Sequence, residues 1–322
     1  MTRVAAIDCG TNSIRLLVAD ADPATGELRD LHRAMRVVRL GQGVDRTGRL
    51  APEALERTFD ACRAYARLIE EHGVPAGKLR FVATSASRDA SNREDFARGV
   101  REILGVDPEV ITGEEEAQLS FTGATRELTG SDTYEKPYLV VDIGGGSMEC
   151  VVGEDAVAAA RSVDIGCVRM TERHLTREDG TVVDPPTAAL VAAIESDIER
   201  ALDQAAETVP LSEARTLVGL AGTVTTIAAI SLDLQEYDSA AIHHSRVSYA
   251  SVSAITDRLL ASTHAERAAI PAMHPGRVDV ITSGALILRA LMRRAGAKEV
   301  VVSEHDILDG IGWSVAEDGH RP

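Results

Sequence analysis

The sequence predicts an α/β protein built from two domains of related topology, and three observations predict it. Runs of apolar residues alternate along the chain with amphipathic stretches of helical period. A length of 322 residues suffices for two domains of ordinary size, and an apolar content of 44% can supply a core to each. The pattern of residues 5–19 also returns at 139–153, which indicates a repeated unit.

The first half of the chain is predicted to alternate strands and helices. Apolar runs predict strands at 3–8 and 14–20, joined by the short segment CGTNS. One apolar helical face predicts a helix from Pro52 to His72, which Gly73 ends. Similar patterns predict the next elements in order: a strand at 79–86, a helix at 92–105 with Asn92 as its N-cap, a short strand at 108–113 and a helix that begins near Glu114.

A polar, turn-rich stretch at 125–137 predicts the domain boundary. We therefore expect one domain at 1–125 and a second at 126–304, with a C-terminal helix at 305–318 that packs back on the first. After the repeated motif, the second half is predicted to contain, in order, a helix at 186–208, a strand, turn and helix at 216–230, helices at 250–261 and 279–295, and a strand at 299–304.

The charge balance and the cysteines exclude several classes of protein. With 34 Lys and Arg against 50 Asp and Glu, the net charge of −16 repels nucleic acid, and 3% aromatic residues leave little surface for base stacking. The sequence has no signal-peptide pattern and no uninterrupted apolar run of about 18 residues. Four cysteines lie far apart without a CxxC pair, so buried, reduced thiols are expected. We expect a cytoplasmic protein with neither a membrane nor a nucleic-acid partner.

Both copies of the repeat place a glycine-rich turn, CGTNS or IGGGS, between two apolar runs. Such turns present backbone N–H groups, here together with the hydroxyls of Thr11, Ser13 and Ser147, and oriented amides bind phosphate without net positive charge. The turns follow Asp8 and Asp142, whose carboxylates can hold a divalent cation that bridges to phosphate. A third Gly/Thr turn, GLAGTVTT, leads into a predicted helix, whose N-terminus adds its dipole.

Five segments in this order resemble the Ppx/GppA phosphatases, which hydrolyse inorganic polyphosphate or guanosine pentaphosphate: DCGTNSIRLLVAD, ATSASRDASN, ITGEEEAQLSFTGA, VVDIGGGSMECVVG and GLAGTVTTIAA. The likeness covers residues 4–312. It implies two ribonuclease-H-like domains of the actin-like ATPase superfamily with a cleft between them. The chain looks like the short two-domain form, without the added C-terminal HD-type helical domain that many members carry.

The resemblance also implies roles for individual residues. Glu116 falls at the position of the catalytic carboxylate, and its neighbour Glu115 is the next candidate. Asp142 and Glu149, together with Asp8, are the implied metal ligands, and the implied ion is Mg²⁺ or Mn²⁺. The implied phosphate-binding residues are Gly10, Thr11, Asn12, Ser13, Arg88, Gly144, Gly145, Gly146, Ser147, Gly222 and Thr223.

The expected activity is that of an exopolyphosphatase, in which water attacks the terminal phosphorus of a polyphosphate chain. Three alternatives stay open: a guanosine pentaphosphate phosphohydrolase, which needs a pocket for a base and ribose; a nucleotide-dependent kinase or ATPase of the same superfamily; and a non-catalytic polyphosphate-binding regulator. Intact Glu116, Asp142 and Glu149 argue against the last. The family resemblance suggests a homodimer.

Two histidine motifs are not part of this family pattern. They are the pair HH at 243–244 and the segment EHD at 304–306. Without a spaced set of partner ligands, structural or surface roles are expected for both.

Overall fold

The computed structural model describes residues 1–128, 133–177 and 180–317. The strands are β1 Thr2–Cys9, β2 Ser13–Asp22, β3 Glu27–Val37, β4 Leu79–Ala83, β5 Glu109–Val110, β6 Tyr138–Ile143, β7 Met148–Gly153, β8 Val157–Val163, β9 Thr216–Leu220, β10 Arg246–Ser248 and β11 Glu299–Val302. The helices are α1 Val44–Thr47, α2 Pro52–Glu71, α3 Ser85–Asp89, α4 Arg93–Leu104, α5 Gly113–Thr125, α6 Cys167–His174, α7 Ala188–Ala206, α8 Ala221–Ser231, α9 Ser239–Ile242, α10 Tyr249–Ala261, α11 His264–Ala268, α12 Ile281–Ala295 and α13 Ile307–Glu317, with a 3₁₀ turn at Pro275–Arg277.

The chain forms two compact units. Unit 1 contains Met1–Arg126 and the residues from Asp306 onward, and unit 2 contains Glu127–His305. The C-terminal helix α13 therefore belongs to unit 1, where it packs on α5 and β1. The chain passes between the units at only two points in the sequence, after Arg126 and after His305.

Unit 1 is a five-stranded mixed sheet with helices on both faces. Its strand order is β3-β2-β1-β4-β5; β1 pairs antiparallel with β2 and parallel with β4. Alternate residues of β1 point to opposite faces. Ala5 and Ile7 pack in the apolar cluster that contains Tyr65 of α2, whereas Val4 packs in the cluster that contains residues of α13. Burial on both faces explains why residues 4–7 of β1 form a continuous apolar run rather than an alternating pattern.

Unit 2 repeats this arrangement. Its sheet has the order β10-β11-β9-β6-β7-β8, so β8-β7-β6-β9-β11 reproduces β3-β2-β1-β4-β5. The directions also match, because β6 pairs antiparallel with β7 and parallel with β9, and β9 pairs parallel with β11. One large apolar cluster fills this unit and includes residues of β6, α7, α8 and α12. The α/β class and the related topology of two domains are confirmed.

Several local expectations need correction. The strand predicted at 79–86 ends at Ala83, and α3 begins at Ser85. Asn92 precedes α4 but does not cap it, because its amide side chain instead accepts from the N–H of Leu50 at 2.8 Å and donates to the Leu50 carbonyl at 3.1 Å. The strand, turn and helix predicted at 216–230 are present as β9 and α8, and the turn between them is reduced to Ala221, whose φ is 63°.

The elements that were not predicted include the longer β3, β8 and α6, together with the short α1, α3, α9, β10 and α11. The strands β3 and β8 lie at sheet edges and have few buried residues, so they lack the apolar runs by which strands are recognised. Of the boundary predicted at 125–137, residues 129–132 lie outside the described part of the chain. The expectation for the cysteines is confirmed, because all four are free and buried. Over the described ranges, every helix is too short or too polar to cross a lipid bilayer.

Candidate active site

The two glycine-rich loops have the same geometry at the same place in their sheets. In unit 1 the N–H of Gly10 donates to the carbonyl of Ser13 at 3.0 Å, and in unit 2 the N–H of Gly144 donates to the carbonyl of Ser147 at 3.1 Å. Each loop joins the central strand of its sheet to the antiparallel neighbour. The repeat seen in the sequence is thus a repeat of backbone structure.

The unit 1 loop is held by hydrogen bonds to its carbonyl groups. The carbonyl of Thr11 accepts from the N–H of Gly41 at 2.9 Å, and that of Asn12 accepts from Val38 and Arg39 at 3.0 and 2.8 Å. The hydroxyl of Thr11 bonds to that of Ser85 at 2.9 Å. Among the described residues, no acceptor meets the N–H groups of Thr11 and Asn12, so two successive amides are available to an anion.

The unit 2 loop is held in the same sense by the first turn of α6. The N–H of Cys167 donates to the carbonyl of Gly144 at 3.0 Å, and those of Val168 and Arg169 donate to the carbonyl of Gly145 at 2.9 and 3.0 Å. Nε of Arg169 donates to the carbonyl of Gly146 at 2.6 Å. With the carbonyls engaged, the N–H groups of Gly145 and Gly146 have no acceptor in the described ranges, and they form a second anion-binding pair.

The two hairpins differ in the residues that face each other just before the turn. In unit 1, Asp8 is directly opposite Arg15, and Nε and Nη2 of Arg15 donate to Oδ2 of Asp8 at 3.0 and 2.6 Å. Arg15 also forms an ion pair with Asp306. Burial raises the pKa of Asp8, and the Arg15 guanidinium opposes that rise. The structure therefore places Asp8 in an ion pair.

In unit 2 the corresponding position holds a second acid. Asp142 is directly opposite Glu149 in the register of β6 and β7, so both carboxylates lie on the same face of the sheet with their Cβ atoms about 5 Å apart. Asp142 is 7% exposed and Glu149 only 1%, and Ser162 donates its hydroxyl to Oε1 of Glu149 at 2.7 Å. Two carboxylates on one face supply the oxygen donors that Mg²⁺ or Mn²⁺ prefers, so this donor set fits such an ion.

The junction between β9 and α8, which corresponds to the third predicted turn, begins with a strained residue and packs against an arginine. Ala221 opens α8 with φ of 63°, a left-handed conformation that is uncommon outside glycine, and strain of this kind is concentrated at functional sites. A Cβ at Gly222 would lie 1.1 Å from Nη1 of Arg277, so the Arg277 guanidinium packs directly on the glycine. Sequence reasoning missed Arg277; the signal was one arginine in the segment IPAMHPGRVDVI, whose other polar side chains are only His274 and Asp279.

In unit 1, Glu116 lies beside Arg88. Thr112 caps α5 by accepting from the N–H of Glu115 at 3.2 Å, which places Glu116 in the first turn with 7% exposure. Nη1 of Arg88 donates to Oε2 of Glu116 at 3.2 Å and to the carbonyl of Ile111 at 2.8 Å. Within the described chain both contacts use Nη1, so Nε and Nη2 of Arg88 keep donors for an anion.

Glu115, the second predicted carboxylate, lies elsewhere. It accepts from Nη2 of Arg80 at 2.7 Å and its side chain is 45% exposed. Arg80 also binds Glu109 at 2.7 Å. Glu115 is thus part of a surface ion-pair network, whereas Glu116 is the carboxylate that is buried next to Arg88.

Comparison with known proteins identifies the family. The family model described as the Ppx/GppA phosphatase family matches residues 17–316. Exopolyphosphatase 2 of Mycobacterium tuberculosis is 52% identical over 327 aligned positions, covering 98% of this chain and 99% of the relative. A guanosine-5'-triphosphate,3'-diphosphate pyrophosphatase of Aeromonas salmonicida is 30% identical, covering 98% of this chain and 60% of the relative. A crystal structure of an exopolyphosphatase-like protein is 44% identical with a TM-score of 0.91, covering 98% and 99%. The chain belongs to the Ppx/GppA phosphatase family.

Proposed function

We propose that this protein is an exopolyphosphatase that removes the terminal phosphate of inorganic polyphosphate by hydrolysis. The observation that carries the proposal is the pair of matching amide cradles, at Thr11 and Asn12 and at Gly145 and Gly146. Such cradles accommodate a polyanion in a chain whose net charge is −16. The 52% identity to an exopolyphosphatase along the whole chain supports the same substrate.

The proposed metal ligands are Asp142 and Glu149. A bound Mg²⁺ or Mn²⁺ would neutralise charge on the phosphoryl group that is transferred. The hydroxyl of Ser162 orients the Glu149 carboxylate through its bond to Oε1, as partners of ligating carboxylates commonly do. Asp8, by contrast, is proposed to position Arg15, because Arg15 already supplies its counter-charge.

The proposed general base is Glu116. In the reaction, a water oxygen forms a bond to the terminal phosphorus, and the bridging P–O bond to the rest of the chain breaks. The proton of the water passes to the Glu116 carboxylate, and the electron pair of the broken bond leaves on the shortened chain. Burial at 7% exposure keeps the carboxylate out of bulk water, and the contact with Arg88 fixes its orientation.

Phosphate binding is proposed to use the loop amides and arginine side chains. The N–H groups of the two cradles, and the remaining donors of Arg88, would stabilise charge on the nonbridging oxygens as it redistributes. Gly222 and Thr223, at the N-terminus of α8, add donors beside the guanidinium of Arg277. We also propose that the enzyme acts in the cytoplasm and that it forms a homodimer, the latter as the family resemblance suggests.

A second candidate substrate is guanosine pentaphosphate. The observation that favours it is the 30% identity to a guanosine-5'-triphosphate,3'-diphosphate pyrophosphatase along 98% of this chain. The chain spans 60% of that relative's length. The 3% aromatic content offers few side chains to stack on guanine, which makes polyphosphate the preferred proposal.

The proposal is tested by measuring phosphate release, with and without Mg²⁺, from short polyphosphate, long polyphosphate, guanosine pentaphosphate and ATP. Release from polyphosphate that Glu116→Gln abolishes supports the exopolyphosphatase. Phosphate release from guanosine pentaphosphate alone would make that nucleotide the substrate instead of polyphosphate. Release from none of the four compounds would overturn the proposed phosphatase activity. The variant Glu115→Gln is the matched control, because it removes a neighbouring carboxylate that lies in a surface ion pair.

A further inference from the structure

A cluster of histidines around Glu127 lies in unit 2, outside the proposed active-site residues. Nε2 of His243 is 3.1 Å from Oε2 of Glu127, and Nδ1 of His305 is 3.2 Å from the same oxygen. The rings of His243 and His305 have centroids 4.8 Å apart, and His244 stacks on His243 at 3.7 Å. The two histidine motifs that were separate in the sequence are therefore side by side, and Glu127 supplies the partner they lacked.

These three side chains have the chemistry and the spacing of a transition-metal site. Ligand atoms from Glu127, His243 and His305 all lie within 4.8 Å of one another. Ligands at about 2.0 Å from a tetrahedral zinc ion are about 3.3 Å apart, which is close to the 3.1 and 3.2 Å of the two Glu127 contacts. Two imidazoles and one carboxylate are a known zinc ligand set that keeps a fourth position open.

We propose that Glu127, His243 and His305 bind a divalent transition metal of the zinc class, at a site separate from the carboxylates Asp142 and Glu149. Imidazole nitrogen selects such ions over Mg²⁺, which takes oxygen ligands. The side chains of His243 and His305 are 23% and 27% exposed and that of Glu127 is 50% exposed, so an ion can enter from solvent.

The cysteines do not compete for this metal. All four are buried, and burial raises the pKa values of Cys9, Cys62, Cys150 and Cys167. A thiol must lose its proton to bind zinc. The thiols of the folded chain are therefore poor ligands for a metal of the zinc class.

Metal binding has a structural consequence for the segment that leads out of unit 2. Nδ1 of His243 accepts from the N–H of Glu304 at 3.1 Å, so the ring proton of neutral His243 is on Nε2. When Nε2 binds a metal, that proton must move to Nδ1, which can then no longer accept. The metal and the Glu304 hydrogen bond exclude each other, and binding releases the amide of Glu304.

The histidine cluster lies where the chain enters and leaves unit 2. Glu127 is the first residue of unit 2 and His305 is the last. A metal would thus join, within unit 2, the two residues at which the chain enters and leaves this unit. The amide of Glu304, one residue before the second crossing, reports on metal occupancy independently of any enzymatic activity.

The test uses the untagged full-length protein and titrates it with Zn²⁺ by calorimetry and with Co²⁺ by visible absorption, in the presence of excess Mg²⁺. We expect one equivalent to bind, with Co²⁺ bands of a four- or five-coordinate site. Hydrogen exchange of the Glu304 amide should become faster with Zn²⁺. His243→Gln and Glu127→Gln should each weaken binding by at least about 100-fold, the upper end of what removing a partner of a ligand costs.

The control variant is His264→Gln, which removes a histidine that is 57% exposed and pairs with Asp279 at 3.0 Å. It should bind Zn²⁺ as the wild type does. The proposal is overturned if the wild type binds no stoichiometric Zn²⁺ at micromolar concentrations, or if the double variant His243→Gln/His305→Gln binds as tightly as the wild type. Folding of each variant is checked by its thermal transition, and His305→Asn replaces any variant that does not fold.

Discussion

Replacing Gly166 by alanine should displace the unit 2 phosphate loop without removing any functional group. A Cβ at this position would lie 2.3 Å from the carbonyl oxygen of Gly145 and 2.6 Å from the nitrogen of Gly146. Ordinary van der Waals contact begins at 3.4 Å, so the loop must move by about 1 Å. The φ of Gly166 is −159°, which alanine adopts freely, and the effect is therefore steric.

The expected losses of activity and of stability in Gly166→Ala follow from this displacement. A displacement of about 1 Å in a catalytic group costs about 10²-fold in rate, and forcing a methyl into close-packed backbone costs about 1–3 kcal/mol of stability. We expect kcat/KM for Mg²⁺-dependent phosphate release from polyphosphate to fall about 10²-fold in Gly166→Ala. The melting temperature should decrease modestly.

Gly99→Ala is the matched control, because its Cβ would lie 2.3 Å from the ring of Phe59 in unit 1. This substitution creates the same overlap, but against a side chain that can turn, and alanine favours the helix α4 in which it lies. It should leave kcat/KM unchanged. If Gly166→Ala lost no more activity than Gly99→Ala while both folded, the role given to the loop amides would be refuted.

Three further predictions concern charged side chains. Glu116→Gln should lower kcat at least about 10²-fold, whereas Glu115→Gln should change it by less than about twofold because it breaks only an exposed ion pair. Glu149→Gln should raise the Mg²⁺ concentration that gives half-maximal activity by at least about 10-fold, and an unchanged Mg²⁺ curve would remove Glu149 from the ligand set. A hydrogen bond from Arg3 lowers the pKa of Asp20 below 3.8, so this pair stabilises the folded state above pH 3.8 and loses its contribution as the pH falls through the lowered pKa. In chemical denaturation, Asp20→Asn should therefore be less stable than the wild type at neutral pH, by up to about 1 kcal/mol, and the difference should shrink in acid; a difference that persisted at low pH would contradict this.

The sequence predicted what depends on local pattern. The continuous apolar runs on both sides of each Gly/Ser turn predicted the two hairpins, and the repeated spacing predicted that they are alike, as the matching bonds of Gly10 and Gly144 show. The strand β1 and the buried face of α2 could be predicted because their apolar residues form a regular local pattern. Edge strand β3 was missed because it presents charged and partly exposed residues that leave no apolar run.

The sequence could not predict contacts between distant segments. The fold shows that Asp8 faces Arg15 and that Asp142 faces Glu149. The register is the same in both hairpins, so the two similar motifs differ in chemistry because of the residue opposite the aspartate. The position of Arg277 over Gly222 joins residues 55 apart, and the histidine cluster joins Glu127 to His305 across the whole of unit 2. Only the fold shows that Glu116 and Glu115, neighbours in sequence, have different surroundings.

The measurement that most directly tests the central claim is hydrolysis of polyphosphate in water enriched in heavy oxygen, with Mg²⁺, followed by mass analysis of both products. Each released phosphate should carry one heavy oxygen and the shortened chain should carry none, because water attacks the terminal phosphorus. Heavy oxygen on the remaining chain, or no phosphate release by the pure protein, would contradict it.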